Sequence, residues 1–201
     1  MTVEVVLATH NQHKVQEFQR ILGAALPEIT VVAYDGPEPV EDGVTFSENA
    51  LIKARTAAAH TGRIALADDS GIAVNVLGGA PGIFSARWAG PGHSDRDNLD
   101  LLLAQLADIA PEHRAASFHC TIALVVPDGL RQGGFEHVSE GVWPGRLATE
   151  ATGDNGFGYD PIFVPDGYDA SAAELAPEKK NEISHRARAF ADLVPTLRTL
   201  M

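Results

Sequence analysis

The stretch Ile64-Ala65-Leu66-Ala67-Asp68-Asp69-Ser70-Gly71 decides the fold. Its four apolar residues run without a break into two carboxylates and a Ser-Gly pair. A continuous apolar run of this kind predicts a strand covered on both faces, as in the middle of an α/β sheet. Open α/β sheets collect ligands at the carboxyl ends of such strands, and Asp-Asp-Ser-Gly predicts a turn there. Adjacent acids repel unless a cation or a proton sits between them. Magnesium is the simplest neutraliser, because it takes oxygen ligands and usually arrives with substrate phosphates. The plainer alternative is a polar turn in which Asp68 and Asp69 only cap nearby backbone.

Toward the amino end, residues 3–9 read as a buried strand, and His10-Asn11-Gln12-His13-Lys14 as a polar loop. A helix from about Lys14 follows, with Val15, Phe18, Ile21 and Leu22 on one face and a stop at Gly23. The loop therefore sits at a helix amino terminus, where unpaired N–H groups and the dipole attract anions. Lys14 adds a fixed cation, and Asn11 can brace the loop through side chain–backbone bonds. The glycines of a Walker loop are absent, so a plain turn is the alternative. Residues 29–33 predict a second strand. Residues 34–43, rich in proline, glycine and acid, predict an exposed loop carrying Glu38, Glu41 and Asp42. Thr45-Phe46-Ser47-Glu48 has capping-box spacing and opens a helix that ends at Gly62, with Asn49 and Lys53 on one face.

Toward the carboxyl end, residues 72–77 predict another strand, Gly78-Gly79-Ala80-Pro81-Gly82 a tight loop, and Ser94 the cap of a helix through Leu99, Leu102, Leu103 and Leu106. Two antiparallel strands, 118–126 and about 133–143, flank the turn Pro127-Asp128-Gly129. The loop 153–161 interleaves glycines with Phe157 and Tyr159, either of which could stack a planar ring while the glycines let backbone approach it. It lacks the Gly-x-Gly-x-x-Gly dinucleotide spacing. From Glu182 a final helix carries Ile183, Ala187, Phe190, Val194 and Leu197, with Pro195 expected to bend or end it. Lys179, Lys180, Ser184, His185 and Arg186 place a basic cluster near its start.

Composition narrows the function. Of 201 residues, 45% are hydrophobic and 21% charged, as in an ordinary globular protein with a sizeable core. Fifteen Lys and Arg stand against 27 Asp and Glu, for a net charge of -12. That balance argues against nucleic acid or an anionic membrane as partner, but leaves room for a small anionic substrate met by local cations. The one cysteine, Cys120, lies in an apolar run and reads as a core thiol. No leader and no membrane span is legible, and a cytoplasmic protein is expected. No repeat, low-complexity segment or interdomain linker is evident. Together these stretches supply a cation loop, a carboxylate site for magnesium, a ring-stacking glycine loop and a basic donor cluster. A nucleoside triphosphate needs all four.

Six ordered motifs carry a resemblance. They are Thr9-His10-Asn11-Gln12-His13-Lys14, Phe46-Ser47-Glu48-Asn49-Ala50-Leu51-Ile52-Lys53-Ala54, Ala67-Asp68-Asp69-Ser70-Gly71, Gly78-Gly79-Ala80-Pro81-Gly82, Gly156-Phe157-Gly158-Tyr159-Asp160-Pro161 and Ser184-His185-Arg186. In order and spacing they are similar to the inosine triphosphate pyrophosphatase family, from about residue 5 to about residue 190. His10 departs from it, since small residues are frequent at a position that contributes mainly backbone. The resemblance implies an α/β fold with a long mixed central sheet and flanking helices. It also implies two lobes around a deep active-site cleft, one domain over residues 1–201, and a homodimer. The implied reaction is magnesium-dependent hydrolysis of dITP, ITP and XTP to the monophosphate and pyrophosphate, which keeps deaminated purines out of DNA and RNA. Thr9, His10, Asn11, Gln12, His13, Lys14 and Lys53 would hold the triphosphate. Glu41 and Asp69 would bind magnesium; Asp69 would also be the catalytic base, with Asp68 and Ser70 in support. Phe157, Gly158, Tyr159, Asp160, Lys180, His185 and Arg186 would surround the nucleoside, the basic cluster donating to the purine 6-oxygen.

In-line water attack with cations on the leaving pyrophosphate is consistent with this equipment. No serine or cysteine nucleophile with an adjacent base is legible, which favours direct attack. A covalent Asp68 or Asp69 intermediate and a non-catalytic nucleotide sensor are the alternatives.

Overall fold

The computed structural model describes residues 2–200, the side chain of His13 excepted. Six strands form one mixed sheet: β1 (Val3–Leu7), β2 (Ile29–Ala33), β3 (Ile64–Val74), β4 (Ala115–Val126), β5 (Phe135–Leu147) and β6 (Phe163–Pro165), in the order β2-β1-β3-β4-β5-β6. β1 runs parallel to both β2 and β3, and β5 pairs antiparallel with β6. Five helices flank these strands in sequence: α1 (Gln12–Ala25), α2 (Phe46–Thr61), α3 (Asp95–Gln105), α4 (Pro177–Ile183) and α5 (His185–Leu200).

The Asp-Asp-Ser-Gly stretch corrects the sequence reading: it makes no turn. β3 passes straight through it, and the strand expected over 72–77 is the end of β3 followed by a 3-10 turn at Asn75–Leu77. The parallel pairing with β1 nevertheless stops at Leu7 opposite Leu66. The two acids thus stand beyond the carboxyl end of the parallel neighbour, where such sheets bind ligands. Gly71 serves contact, not turning. A Cβ there would collide with the Gly82 carbonyl and the Ser85 side chain, whose Oγ accepts from the Ile72 N–H at 2.9 Å.

The chain divides into two compact units. The first takes the chain up to Asp69, Cys120–Gly141, and the chain from Ala189 onward. One of its cores joins Val5, Leu7, Leu66, Ile122 and Leu124 to Phe18 of α1 and Phe190 of α5. Those two rings meet edge to face, 4.7 Å between centroids. A second core packs Ala50, Ala54, Ala57 and Ala58 of α2 on Val6, Ala65, Ala67 and Ala123. Side chains alternate across a strand, so Leu66 serves one face while Ala65 and Ala67 serve the other. The small residues let α2 lie close to the sheet, which fixes the height of Lys53. Cys120 is buried in the first of these cores.

The second unit, Ser70–His119 and Val142–Arg188, is built around Trp143, Phe118, Phe163, Leu99, Leu102 and Ile162. Ser94 caps α3 in a full capping box with Asp97, as expected.

Other element boundaries also differ from the sequence reading: α1 opens at Gln12 and not at about Lys14, β4 starts at Ala115, and β5 runs on to Leu147. α1 does not stop at Gly23, because Leu22 and Leu26 are both buried and the Leu26 N–H still donates to the Leu22 carbonyl at 2.7 Å. The final helix is two: Ser184 is extended and its Oγ accepts from the Ala187 N–H, so it ends α4 and caps α5. Pro195 lies inside α5 and does not end it, since Leu193 and Leu197 on either side are buried in the core.

Candidate active site

α2 begins where Thr45 Oγ1 accepts from the Glu48 N–H at 3.1 Å. Glu48 reaches back to the Val44 N–H at 2.6 Å, one residue earlier than in a standard capping box. The buried Asn49 accepts from the Gly43 N–H at 2.9 Å, holding the end of the acidic loop to the helix. One turn on, Lys53 projects between two carboxylates, 3.2 Å from Glu41 Oε1 and 3.5 Å from Asp69 Oδ1. Lys14, from the first turn of α1, donates to both oxygens of the buried Asp68 at 3.0 Å. Its own N–H is 3.4 Å from Asn11 Oδ1, and the Asn11 N–H donates to Thr9 Oγ1 at 3.2 Å.

The two adjacent acids point to opposite faces of β3 and thus avoid each other by taking one lysine apiece. Thr9, His10, Lys14, Tyr34, Glu41, Lys53 and Asp68 line a cavity of about 210 Å³ in the first unit. Sequence reasoning placed most of these residues, yet it missed Tyr34 and Glu38 of the cavity wall and the loop-holding role of Asn49. The shared face of Asn49 and Lys53 was the available signal.

Asp69 is the least comfortable group. Burial pushes its carboxyl up from the ordinary value, Lys53 pulls it down, Glu41 raises it, Asn49 lowers it and Asp68 raises it, in that order of size. Asp69 Oδ2 is buried and has no partner in hydrogen-bond geometry. A buried carboxylate oxygen without a donor is costly in a finished structure and suits a group that receives a proton or a cation. Among the described residues no three His, Cys, Asp or Glu side chains form a metal cluster. Glu41 and Asp69, already drawn to one shared cation, make a two-carboxylate site of the kind that a hard divalent ion completes with phosphate and water.

In the second unit, Asp160 Oδ2 accepts from the Phe157 N–H at 2.8 Å and from Lys180 Nζ, tying the glycine loop to α4. Lys180 Nζ also stands 5.6 Å from the centre of the Phe157 ring. Phe157 is exposed, whereas the Tyr159 ring is buried in the core and donates its hydroxyl to the Ser85 carbonyl. Phe157 is therefore the ring able to stack. His185 is buried and lies parallel to Phe118, 4.9 Å between centroids, with Trp143 also parallel at 6.2 Å. That stack joins residues from three elements, so no spacing along the chain announces it. Arg186 and Gly158 are half-buried, as is Ser70; Gln12 is exposed at the start of α1.

A mixed α/β sheet whose parallel strands end at lysine–carboxylate pairs suits an enzyme acting on a phosphate-bearing ligand. The chain belongs to the Ham1 family, whose sequence model matches residues 5–196. It is 64% identical to a dITP/XTP pyrophosphatase of Leifsonia xyli, covering 98% of this chain and 97% of that one. With a dITP/XTP pyrophosphatase of Streptomyces avermitilis it shares 52% identity, over 98% of each chain. Its fold matches a HAM1 protein from Coxiella burnetii with a TM-score of 0.89 at 42% identity, over 98% of this chain and 100% of that one. A crystal structure of a dITP/XTP pyrophosphatase from Mycobacterium abscessus matches with a TM-score of 0.80 at 46% identity, over 96% and 100%.

Proposed function

We propose that this chain is a magnesium-dependent pyrophosphatase of deaminated purine nucleoside triphosphates, hydrolysing dITP, ITP and XTP to the monophosphate and pyrophosphate. The observation that carries the reading is the pairing of Lys14 with Asp68 and of Lys53 with Asp69 and Glu41 in one unit of the fold. Relatives at 64% and 52% identity bearing the dITP/XTP pyrophosphatase name support it. The whole chain, residues 1–201, is taken as one catalytic domain working in the cytoplasm as a homodimer. Among the described residues no helix is long and apolar enough to cross a membrane.

Each residue has a task in this reading. Lys14 and Lys53 trade their carboxylate partners for phosphate oxygens, so the cations that meet the triphosphate are already in place. Thr9 and Asn11 shape the loop that brings N–H groups to the same anion. Asp69, whose carboxyl is raised above its ordinary value by burial, takes a proton from the attacking water. Glu41 and Asp69 would hold magnesium, which supplies charge neutralisation on the phosphates and an acidified water when bound. Phe157 stacks on the purine, with Lys180, His185 and Arg186 as donors toward its 6-oxygen.

The test is metal dependence with ITP as substrate. Pyrophosphate release stops in excess chelator, returns with magnesium and returns poorly with calcium, whose longer and looser coordination misplaces the water. Undiminished release in chelator overturns the metal role of Glu41 and Asp69.

A further inference from the structure

We infer that His10 is a positioning residue, a latch that fastens the acidic loop carrying Glu41 to the loop ahead of α1. The inference rests on the proposed function only for the role of Glu41; the latch itself is geometry. His10 Nε2 lies 3.1 Å from the Gly36 carbonyl, and its Nδ1 lies 3.1 Å from Glu38 Oε1. Both partners are acceptors, and each ring nitrogen faces one of them. The ring also lies nearly parallel to Tyr34, 6.1 Å between centroids.

The loop is shaped to receive it. Tyr34 is buried, donates its hydroxyl to the Pro37 carbonyl at 3.3 Å, and meets His60 edge on at 5.6 Å. Gly36 packs so tightly on Tyr34 and His60 that a Cβ there would collide with both. Its carbonyl is thereby presented to His10.

Among the contacts that hold the loop, three bracket Glu41: His10 before it, Lys53 at it, and Asn49 after it at Gly43. The middle one is given up if Lys53 turns to phosphate. The flanking two then fix where the Glu41 carboxylate stands, and His10 supplies the earlier one.

The experiment compares wild type with His10→Ala, Glu38→Gln and the double variant. The first readout is amide hydrogen exchange at Gly43 and Val44, the hydrogen-bonded amides that close the loop, in the metal-free, ligand-free protein. The loss of exposed polar contacts of this kind predicts exchange about three- to tenfold faster in each single variant. The double variant exchanges no faster than the more affected single, and the amides of α1 are unchanged. The second readout is the magnesium concentration for half-maximal pyrophosphate release from ITP, which rises in both singles by a larger factor than kcat falls. Unchanged exchange at Gly43 and Val44, or effects of the two substitutions that simply multiply, overturns the latch. A wild type that releases no pyrophosphate from ITP overturns the proposed function instead, and the exchange result still judges the latch.

Discussion

Asp69 carries opposing demands in one carboxyl group. Its ionised form is disfavoured by burial and by Glu41, and is kept partly tolerable by Lys53. Since its folded value lies above the unfolded one, the stability it contributes is full below the ordinary carboxylate range and is lost as pH rises through the folded value. Asp69→Asn removes the buried charge while keeping the shape, and Lys53 retains Glu41. The variant should therefore resist denaturant at least as well as wild type at about pH 8, an advantage that shrinks toward about pH 4. Its kcat should fall by about 10²–10⁴-fold, the range of a lost general base. Denaturation midpoints at the two pH values, with turnover on the same samples, check both halves. A variant that is both active and less stable at high pH contradicts this account of the residue.

At the scale of elements, α2 shows how far local chemistry reaches. Its Thr45 cap and its Gly62 end, left-handed at φ 67°, stand where the sequence put them. Thr45→Ala should cost about 1 kcal/mol, seen as a lower denaturation midpoint with an unchanged slope. It should also cost activity, because the turn it loosens precedes Asn49 and Lys53. A neutral result would mean that the Val44 N–H bond to Glu48 already suffices. The capped starts of α2 and α3 were legible; the Ser184 cap of α5 was not, and neither were the ends set by packing. Gly23 and Pro195 should each interrupt a helix locally, and each sits between buried leucines that hold the helix together. Asp-Asp-Ser-Gly has turn composition, but Gly71 is needed for the close approach of Gly82 and Ser85, and the strand continues.

At the scale of the molecule, the candidate site residues were legible as types at spacings, and their partnerships were not. Lys14 and Asp68 are 54 positions apart, so no periodicity joins them. Only the parallel register of β1 against β3 brings the start of α1 beside that part of β3. The same holds for His185, whose neighbours Phe118 and Trp143 come from β4 and β5. A chain of net charge -12 repels a triphosphate at long range, so any attraction must come from these few local cations. Nor does charge distinguish one purine from another. On the proposed reading that discrimination would fall to donors facing the 6-oxygen: adenine would offer them an amino group and leave them unpaired, which can reject it by about 10⁴-fold.

The most direct test is therefore kcat/KM for pyrophosphate release from ITP, XTP, GTP and ATP with magnesium, on wild type and Arg186→Ala. The account predicts rapid release from ITP and XTP, slow release from ATP, and an ITP-to-ATP ratio that shrinks in the variant. Equal hydrolysis of ATP and ITP by the wild type would contradict it.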